Sequence, residues 1–331
     1  MNRRSSGSLM LSEAIQGFIN YKSAEGLTER TLESHERLLR KWLEHIGDQP
    51  IGRITSNDVV RYINWLRTEY VPRRYSGSTH PLSPKTLRNV WVALSSFFSW
   101  ADRDLHIPNV MKSVPSPHII RTPIEPFTQE EVQRMLKACT YARESKPWNR
   151  RSFVTRRPYA NRDVAIIVTL MDTGLRAMEL CRLLIGNVDL RTGRVEIKHG
   201  VIGGAKGGKG RTVYLGKVAR GAVWRYLAER EDGKDPNAPV FLAQNGHSFN
   251  PNSLRHLIKS IASRAGVQNA YPHKFRHTFA ITYLRAGGDI FTLQALLGHG
   301  SLEMVRHYSQ IAEVDIAQAH HKASPADNWR L

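Results

Sequence analysis

Leu32, Leu39, Trp42, Leu43 and Ile46 recur at the spacing of one helical face, and Gly47 follows where a C-terminal cap belongs. Thr55 with Asp58 three residues on has the form of a capping box, although Asp is a weaker closer than Glu. Ser83-Pro84 joins a capping hydroxyl to a proline at the first helical position. Leu87, Trp91, Leu94 and Phe98 then make an apolar stripe ending near Trp100-Ala101. This pattern predicts a small helical bundle over 9–111, after a basic tail at 1–8. Residues 112–126, KSVPSPHIIRTPIEP, hold four prolines and no helical period, which predicts a linker. At ~3.3 Å per residue it could reach roughly 50 Å, enough to cross a polymer the width of a nucleic-acid duplex.

A second domain is expected over 127–323, followed by a tail at 324–331. Thr128 and Glu131 form its opening capping box. NRDVAIIVTLM at 161–171 is almost continuously apolar and is expected at the centre of the core. Asp172-Thr173-Gly174 breaks it, and a helix resumes over 175–183. RVEIK at 194–198 and RTVYL at 211–215 read as strands joined by a glycine-rich cationic hairpin tip. Helices follow at about 217–230 and 253–265, with VFLA at 240–243 as a short strand between them. HKFRHTFA at 273–280 and LLGHGSLEMVRHYSQ at 296–310 belong to further helices, and 313–323 to a last one. The fold class is mainly α with a small β-sheet (α+β), with no internal repeat.

Charge changes the picture. Lys and Arg number 48 against 29 Asp and Glu, a net charge of +19. Such an excess points to a polyanionic partner, nucleic acid before membrane, since no stretch is apolar enough to span a bilayer. In the first domain Arg37, Arg40, Lys41, Arg73, Arg74, Lys85 and Arg88 are candidate DNA contacts, as are Lys209 and Arg211 in the second. Cys139 and Cys181 are the two cysteines, both in apolar helical stretches, so core thiols in a reducing compartment are expected. The basic start MNRRSSGSLM has no apolar run after it and is not a secretory signal. A cytoplasmic protein is expected.

Several residues invite cofactor readings that fail on inspection. GGAKGGKG at 203–210 nearly fits GxxxxGK[ST]: Gly203, Gly208 and Lys209 match, but Gly210 replaces the hydroxyl that would hold magnesium, and the flanks read as a hairpin. His273 and His277 have zinc-like spacing, yet Lys274 stands where a metal-site glutamate would be. His320 and His321 are adjacent, so their side chains diverge on a helix. No metal or other cofactor is expected.

Singly, the remaining candidates have plain readings: Arg176 and Glu179 as an i,i+3 pair, His299 as a capping imidazole, Tyr308 as a half-buried aromatic. Together TGLRAMEL, KGGKGR, HKFRHTFA and LLGHGSLEMVRHY, in this order, resemble the tyrosine recombinase, or phage integrase, family. The resemblance is specific over about 128–310. It is looser over the N-terminal bundle, which is similar to the family's SAM-like core-binding domain. It implies Arg176 and Arg276 as the clamp on a scissile phosphate, Lys206 as general acid, His273 as the proton-handling imidazole, His299 as a second donor and Tyr308 as nucleophile. Glu179 and His277 would support them.

The implied reaction cuts and rejoins DNA at specific sites through a 3′-phosphotyrosine and a four-way (Holliday) junction, without metal or ATP. Integration, excision, transposition and resolution are all compatible with it. A type IB topoisomerase shares the chemistry, and a non-enzymatic architectural DNA-binding protein is the reading from another class. The implied partners are double-stranded recombination sites and a homo-tetramer formed by exchange of the helix at 313–323, with docking within the chain as the alternative. An accessory directionality factor stays unspecified. The short stretch before the first helix implies simple sites bound by two domains, and 71–83 reads as an insertion touching DNA or a neighbouring subunit.

Overall fold

A computed structural model describes residues 9–74, 77–119, 125–142, 154–198, 210–298 and 324–329. The chain divides into two compact units, Met1–Thr122 and Pro123–Leu331.

In the first unit α1 (Leu11–Ala24), α2 (Glu29–Ile46), α3 (Ser56–Thr68) and α4 (Pro84–Leu105) form a bundle. Its core is aromatic: Phe18 meets Phe97 edge-on at 5.6 Å, and Trp42 meets Phe98 at 5.6 Å, geometries that ring quadrupoles favour. The capping signals act as expected. Thr55 N–H donates to Asp58 Oδ2 at 2.9 Å, Ser83 Oγ accepts from Thr86 N–H at 3.2 Å, and Gly47 ends α2 at φ +81°. Helix α4 runs past Trp100-Ala101 because Asp102, Arg103 and Asp104 add a polar turn before His106 adopts φ +56°. The stretch expected as linker starts packed: Met111 and Val114 are buried in this core, and Trp91 Nε1 donates to Val114 O at 3.2 Å.

In the second unit α5 (Gln129–Thr140) opens with the expected capping box, Thr128 N–H to Glu131 Oε2 at 3.1 Å. Helix α6 (Ala160–Thr173) packs against α5, against α8 (Lys217–Leu227) and against α10 (Pro272–Arg285). Being surrounded, it buries even Arg162 and Asp163. These form a 2.8 Å ion pair, with Arg162 also stacked 4.4 Å from the Tyr159 ring. Next come the short α7 (Ala177–Cys181) and an antiparallel pair, β1 (Arg194–Ile197) with β2 (Arg211–Tyr214), in the register Arg194↔Tyr214 to Ile197↔Arg211. Helices α9 (Pro251–Ala265) and α11 (Ile290–Leu297) follow, and Pro325–Trp329 is a last helical turn.

The architecture is thus mainly α with a small sheet. One expected element differs: 240–243 is no strand. Pro239 and Leu242 make only isolated bridges, to Leu184 and Ser248. The run is apolar because it is a buried connector: Val240 N–H donates to Leu183 O at 2.7 Å and Phe241 stacks on Tyr226 at 6.0 Å. The hairpin tip at 199–209 and the expected helix at 313–323 lie outside the described residues.

Candidate active site

The turn after α6 sets up the site. Gly174 caps α6 at φ +60°, a left-handed conformation that disfavours any Cβ. A Cβ there would also lie 2.6 Å from Phe279 Cδ1 and 3.0 Å from Leu297 Cδ2. Gly174→Ala therefore adds left-handed strain to an overpacked contact. It is expected to destabilise the protein by about 2–4 kcal/mol, read by denaturant unfolding.

Beyond this turn Arg176 occupies the N-cap of α7 with extended backbone, and Glu179 three residues on accepts from its backbone N–H at 2.8 Å. The Glu179 side chain is 1% exposed, so it is no surface i,i+3 partner. Its oxygens accept four hydrogen bonds: the Arg176 backbone N–H, Arg176 Nη1 at 2.9 Å, and Arg211 Nη1 and Nη2 at 2.8 and 2.7 Å. Burial alone would raise the Glu179 carboxyl, but the bonds and charge of Arg211, aided by Arg176, hold it at about 2. The stabilisation from this depressed carboxyl is complete above its ordinary value near 4.5 and is lost as pH falls toward 2.

Arg276 comes from α10, which starts with Pro272 at its first position and buries most of its residues. This arginine is 0% exposed and donates from Nη1 to Gly174 O at 2.8 Å and from Nη2 to Leu297 O at 2.6 Å. Three arginines in fact converge on the end of α11. Leu296 O accepts from Arg211 Nε at 2.7 Å, Leu297 O from Arg276, and Gly298 O from Arg176 Nη2 at 3.3 Å. A helix C-terminus concentrates negative dipole and unpaired carbonyls, which three guanidiniums satisfy. On the same α10, the His273 and His277 rings meet at 4.4 Å and 76°; His273 is exposed and His277 buried.

The structure thus brings together Arg176, Glu179 and Arg276, with His273 and His277 on the helix that carries Arg276. Lys206, Lys209, His299 and Tyr308 lie outside the described residues. Arg211, expected among the DNA contacts, is instead an interior group. Its side chain is 6% exposed and all three of its nitrogens are engaged, because a buried carboxylate needs a bidentate cation. The sequence signal for this was Glu179 itself, an acid among apolar helix residues. Among the described residues no cluster of three or more His, Cys, Asp or Glu side chains could hold a metal ion.

In the first unit Arg37, Arg40, Lys41 and Arg73 line one groove together with Glu33, Glu36, Glu44, Trp65 and Tyr70. Arg40 pairs with Glu36 at 2.7 Å, and Lys41 Nζ sits 3.2 Å from the Tyr70 ring centre. Arg74 is turned onto its own loop, donating to His80 O at 2.6 Å and to Pro81 O at 3.2 Å. Lys85 and Arg88 are exposed on α4, with Arg88 Nη1 2.6 Å from Ser116 Oγ.

Residues 125–314 match the family model described as the phage integrase family, and 15–107 that of the phage integrase N-terminal SAM-like domain. The chain belongs to the phage integrase family. The matched span contains every residue for which the motif resemblance implies phosphate chemistry, Arg176 through Tyr308. Among similar relatives of this integrase-family chain is tyrosine recombinase XerA of Thermococcus kodakarensis, 27% identical over 317 residues, with 94% of this chain and 95% of the relative covered. Another is tyrosine recombinase XerC of Alcanivorax borkumensis, 27% identical over 321 residues, covering 95% and 94%. The fold is shared with the Tn1549 transposon integrase in complex with transposon right end DNA (TM-score 0.69, 21% identity, 96% and 99% covered). It is also shared with XerH site-specific recombinase bound to palindromic difH substrate (TM-score 0.64, 20% identity, 96% and 85% covered). The integrase-family chain is a DNA strand-cleaving and strand-joining enzyme of site-specific recombination; neither a topoisomerase nor an architectural protein is favoured. No described helix of it is long and apolar enough to cross a membrane.

Proposed function

We propose that Tyr308 attacks a scissile phosphodiester held by Arg176 and Arg276, forming a 3′-phosphotyrosine and releasing a 5′-hydroxyl. The bond formed is Tyr308 Oη to phosphorus; the bond broken is phosphorus to the 5′ oxygen. A free tyrosine has a pKa near 10, so attack at neutral pH needs a base, here His273, and a cationic pocket. Lys206 protonates the departing oxygen and His299 donates to a non-bridging oxygen. Glu179 and His277 support these groups. One diester replaces another, so rejoining needs no ATP, and two such exchanges pass through a four-way junction.

The observation that carries this reading is the meeting of Arg176 and Arg276 on the consecutive carbonyls of Leu297 and Gly298. Guanidiniums anchored on neighbouring carbonyls bring positive charge to the place where a pentacoordinate phosphorus would develop negative charge. Among the described residues two of the five side-chain N–H groups of Arg176 donate to protein, and its side chain is 27% exposed, which suits it to meet a substrate oxygen.

The bundle, with the packed stretch to Val114, serves as the core-binding domain, with Arg37, Arg40, Lys41, Arg73, Lys85 and Arg88 against phosphates, joined by linker residues within 115–126 to a catalytic domain at 127–323. Lys209 on the hairpin contacts DNA. Four copies assemble on two duplex sites by exchanging the segment 313–323, and the protein works in the cytoplasm on the nucleoid.

Covalent capture of randomised duplexes by the full chain selects the site, and joining two differently marked copies of the selected duplex in the presence of chelator tests the reading. Recombinant strands are expected; relaxation of a single duplex with no joint product would contradict it. Lys206→Ala is expected to slow cleavage of an ordinary diester by about 10²–10⁴-fold, yet hardly that of one with a 5′ sulfur leaving group, which needs no proton. Equal slowing of both, measured in single turnovers, would move the acid role elsewhere.

A further inference from the structure

We propose that Arg211 is a positioning residue for strand cleavage: its fork holds Glu179 so that the Arg176 charge stays available to phosphate, and its Nε fixes the end of α11. The proposal rests on the reading of Arg176 as a phosphate ligand.

Stoichiometry is the first argument. Glu179 is one carboxylate between two guanidiniums. Arg211 takes it bidentately, through Nη1 at 2.8 Å and Nη2 at 2.7 Å, whereas Arg176 gives it one side-chain bond at 2.9 Å. Fork-on-fork pairing is among the strongest and most directional hydrogen-bonded contacts a carboxylate makes. With Arg211 present the trio carries one net positive charge, and Arg176 is the exposed member: 27% of its side chain reaches solvent against 6% for Arg211. Without Arg211, the buried carboxylate has Arg176 as its remaining guanidinium. The pair is then neutral, and Arg176 is drawn toward Glu179 and away from a substrate oxygen.

The second argument is the contact with α11. Arg211 Nε donates to Leu296 O, one carbonyl before the one held by Arg276 and two before the one held by Arg176. The packing is close, since a Cβ on Gly298 would lie 2.9 Å from Arg211 Cδ. The same side chain therefore sets the orientation of Glu179, and through it Arg176, together with the helix end on which all three arginines meet. Placed at the start of β2 opposite Ile197, it does so from a paired strand rather than from a loop.

The test uses the full chain and the selected duplex, nicked beside the cleaved position, with Arg211→Met, Arg211→Lys, Glu179→Gln and the double variant Arg211→Met/Glu179→Gln. Single-turnover adduct formation at saturating protein is measured, along with DNA affinity as a function of salt and thermal unfolding. Arg211→Met is expected to slow adduct formation about 10²-fold with an unchanged salt slope of binding. Arg211→Lys should fall between it and the wild type, because a point charge replaces the fork. The double variant should recover at least about tenfold over Arg211→Met, since removing the unpaired carboxylate frees Arg176. If Arg211→Met does not fold, the double variant carries the test: it has no buried unpaired charge, and its adduct rate should lie within about tenfold of the wild type. Wild-type rates in folded Arg211→Met, or no recovery in the double variant, would overturn the proposal. So would a salt slope reduced by about one phosphate contact, the mark of a direct DNA ligand. A wild-type chain that forms no adduct would sink the strand-cleavage reading beneath it as well, a failure visible before any variant is compared.

Discussion

Arg276→Lys is expected to leave a folded protein that binds DNA and cuts it about 10³-fold more slowly. The wild-type guanidinium is wholly buried and bridges Gly174 O at 2.8 Å to Leu297 O at 2.6 Å, tying the turn after α6 to the last turn of α11. An ammonium keeps the charge but is a compact point without the planar fork, so it serves one of these carbonyls well and the other poorly. Leaving one buried carbonyl short of a donor costs about 1–3 kcal/mol of stability. Catalysis loses more, because the second phosphate donor is displaced from the place that the fork defines. Arg276→Ala removes charge, donors and volume together, and about 3–5 kcal/mol of destabilisation is expected. Denaturant unfolding and single-turnover cleavage, measured on both variants, separate the two effects. A lysine variant that is destabilised yet cleaves at the wild-type rate would show that Arg276 only braces the fold.

Tyr308→Phe is expected to form no covalent adduct while binding DNA within about fivefold of the wild type. The substitution deletes one hydroxyl and keeps the ring. Whatever Tyr308 contributes to affinity is limited to one hydrogen bond, whereas its role in the reaction is to become the new phosphate ester. Loss of the adduct with binding intact, read by gel shift and by denaturing electrophoresis of the same samples, assigns the residue to chemistry. An adduct persisting in this variant would remove it as nucleophile.

Local signals were legible wherever the physics is local. The boxes at Thr55/Asp58 and Thr128/Glu131 and the Ser83-Pro84 start work within one helical turn, and all three cap the helices expected of them. The run at 240–243 was misread because four apolar residues say that a segment is buried, not that it has a ladder partner; here its cover is Tyr226 and Leu183. Arg74 was legible as a loop cation but not as the donor that holds its own loop carbonyls. Arg211 shows the limit most plainly. On a chain of net charge +19 a cation beside a glycine-rich hairpin reads as a DNA ligand, and its pairing with an acid 32 positions earlier exists only once α7 and β2 are folded together. The resemblance carried by the ordered motifs singled out Arg176 and Arg276, but the three adjacent carbonyls that gather the arginines are backbone atoms, which no residue letter encodes.

The most direct measurement is the identity of the atom joined to DNA when the wild-type chain is trapped on the selected, nicked duplex. After nuclease and protease digestion, mass spectrometry is expected to find a 3′-nucleotide phosphate on the peptide containing Tyr308, with a free 5′-hydroxyl on the released strand. Attachment through any other side chain, linkage to a 5′ phosphate, or strands cut with no protein attached would contradict the account.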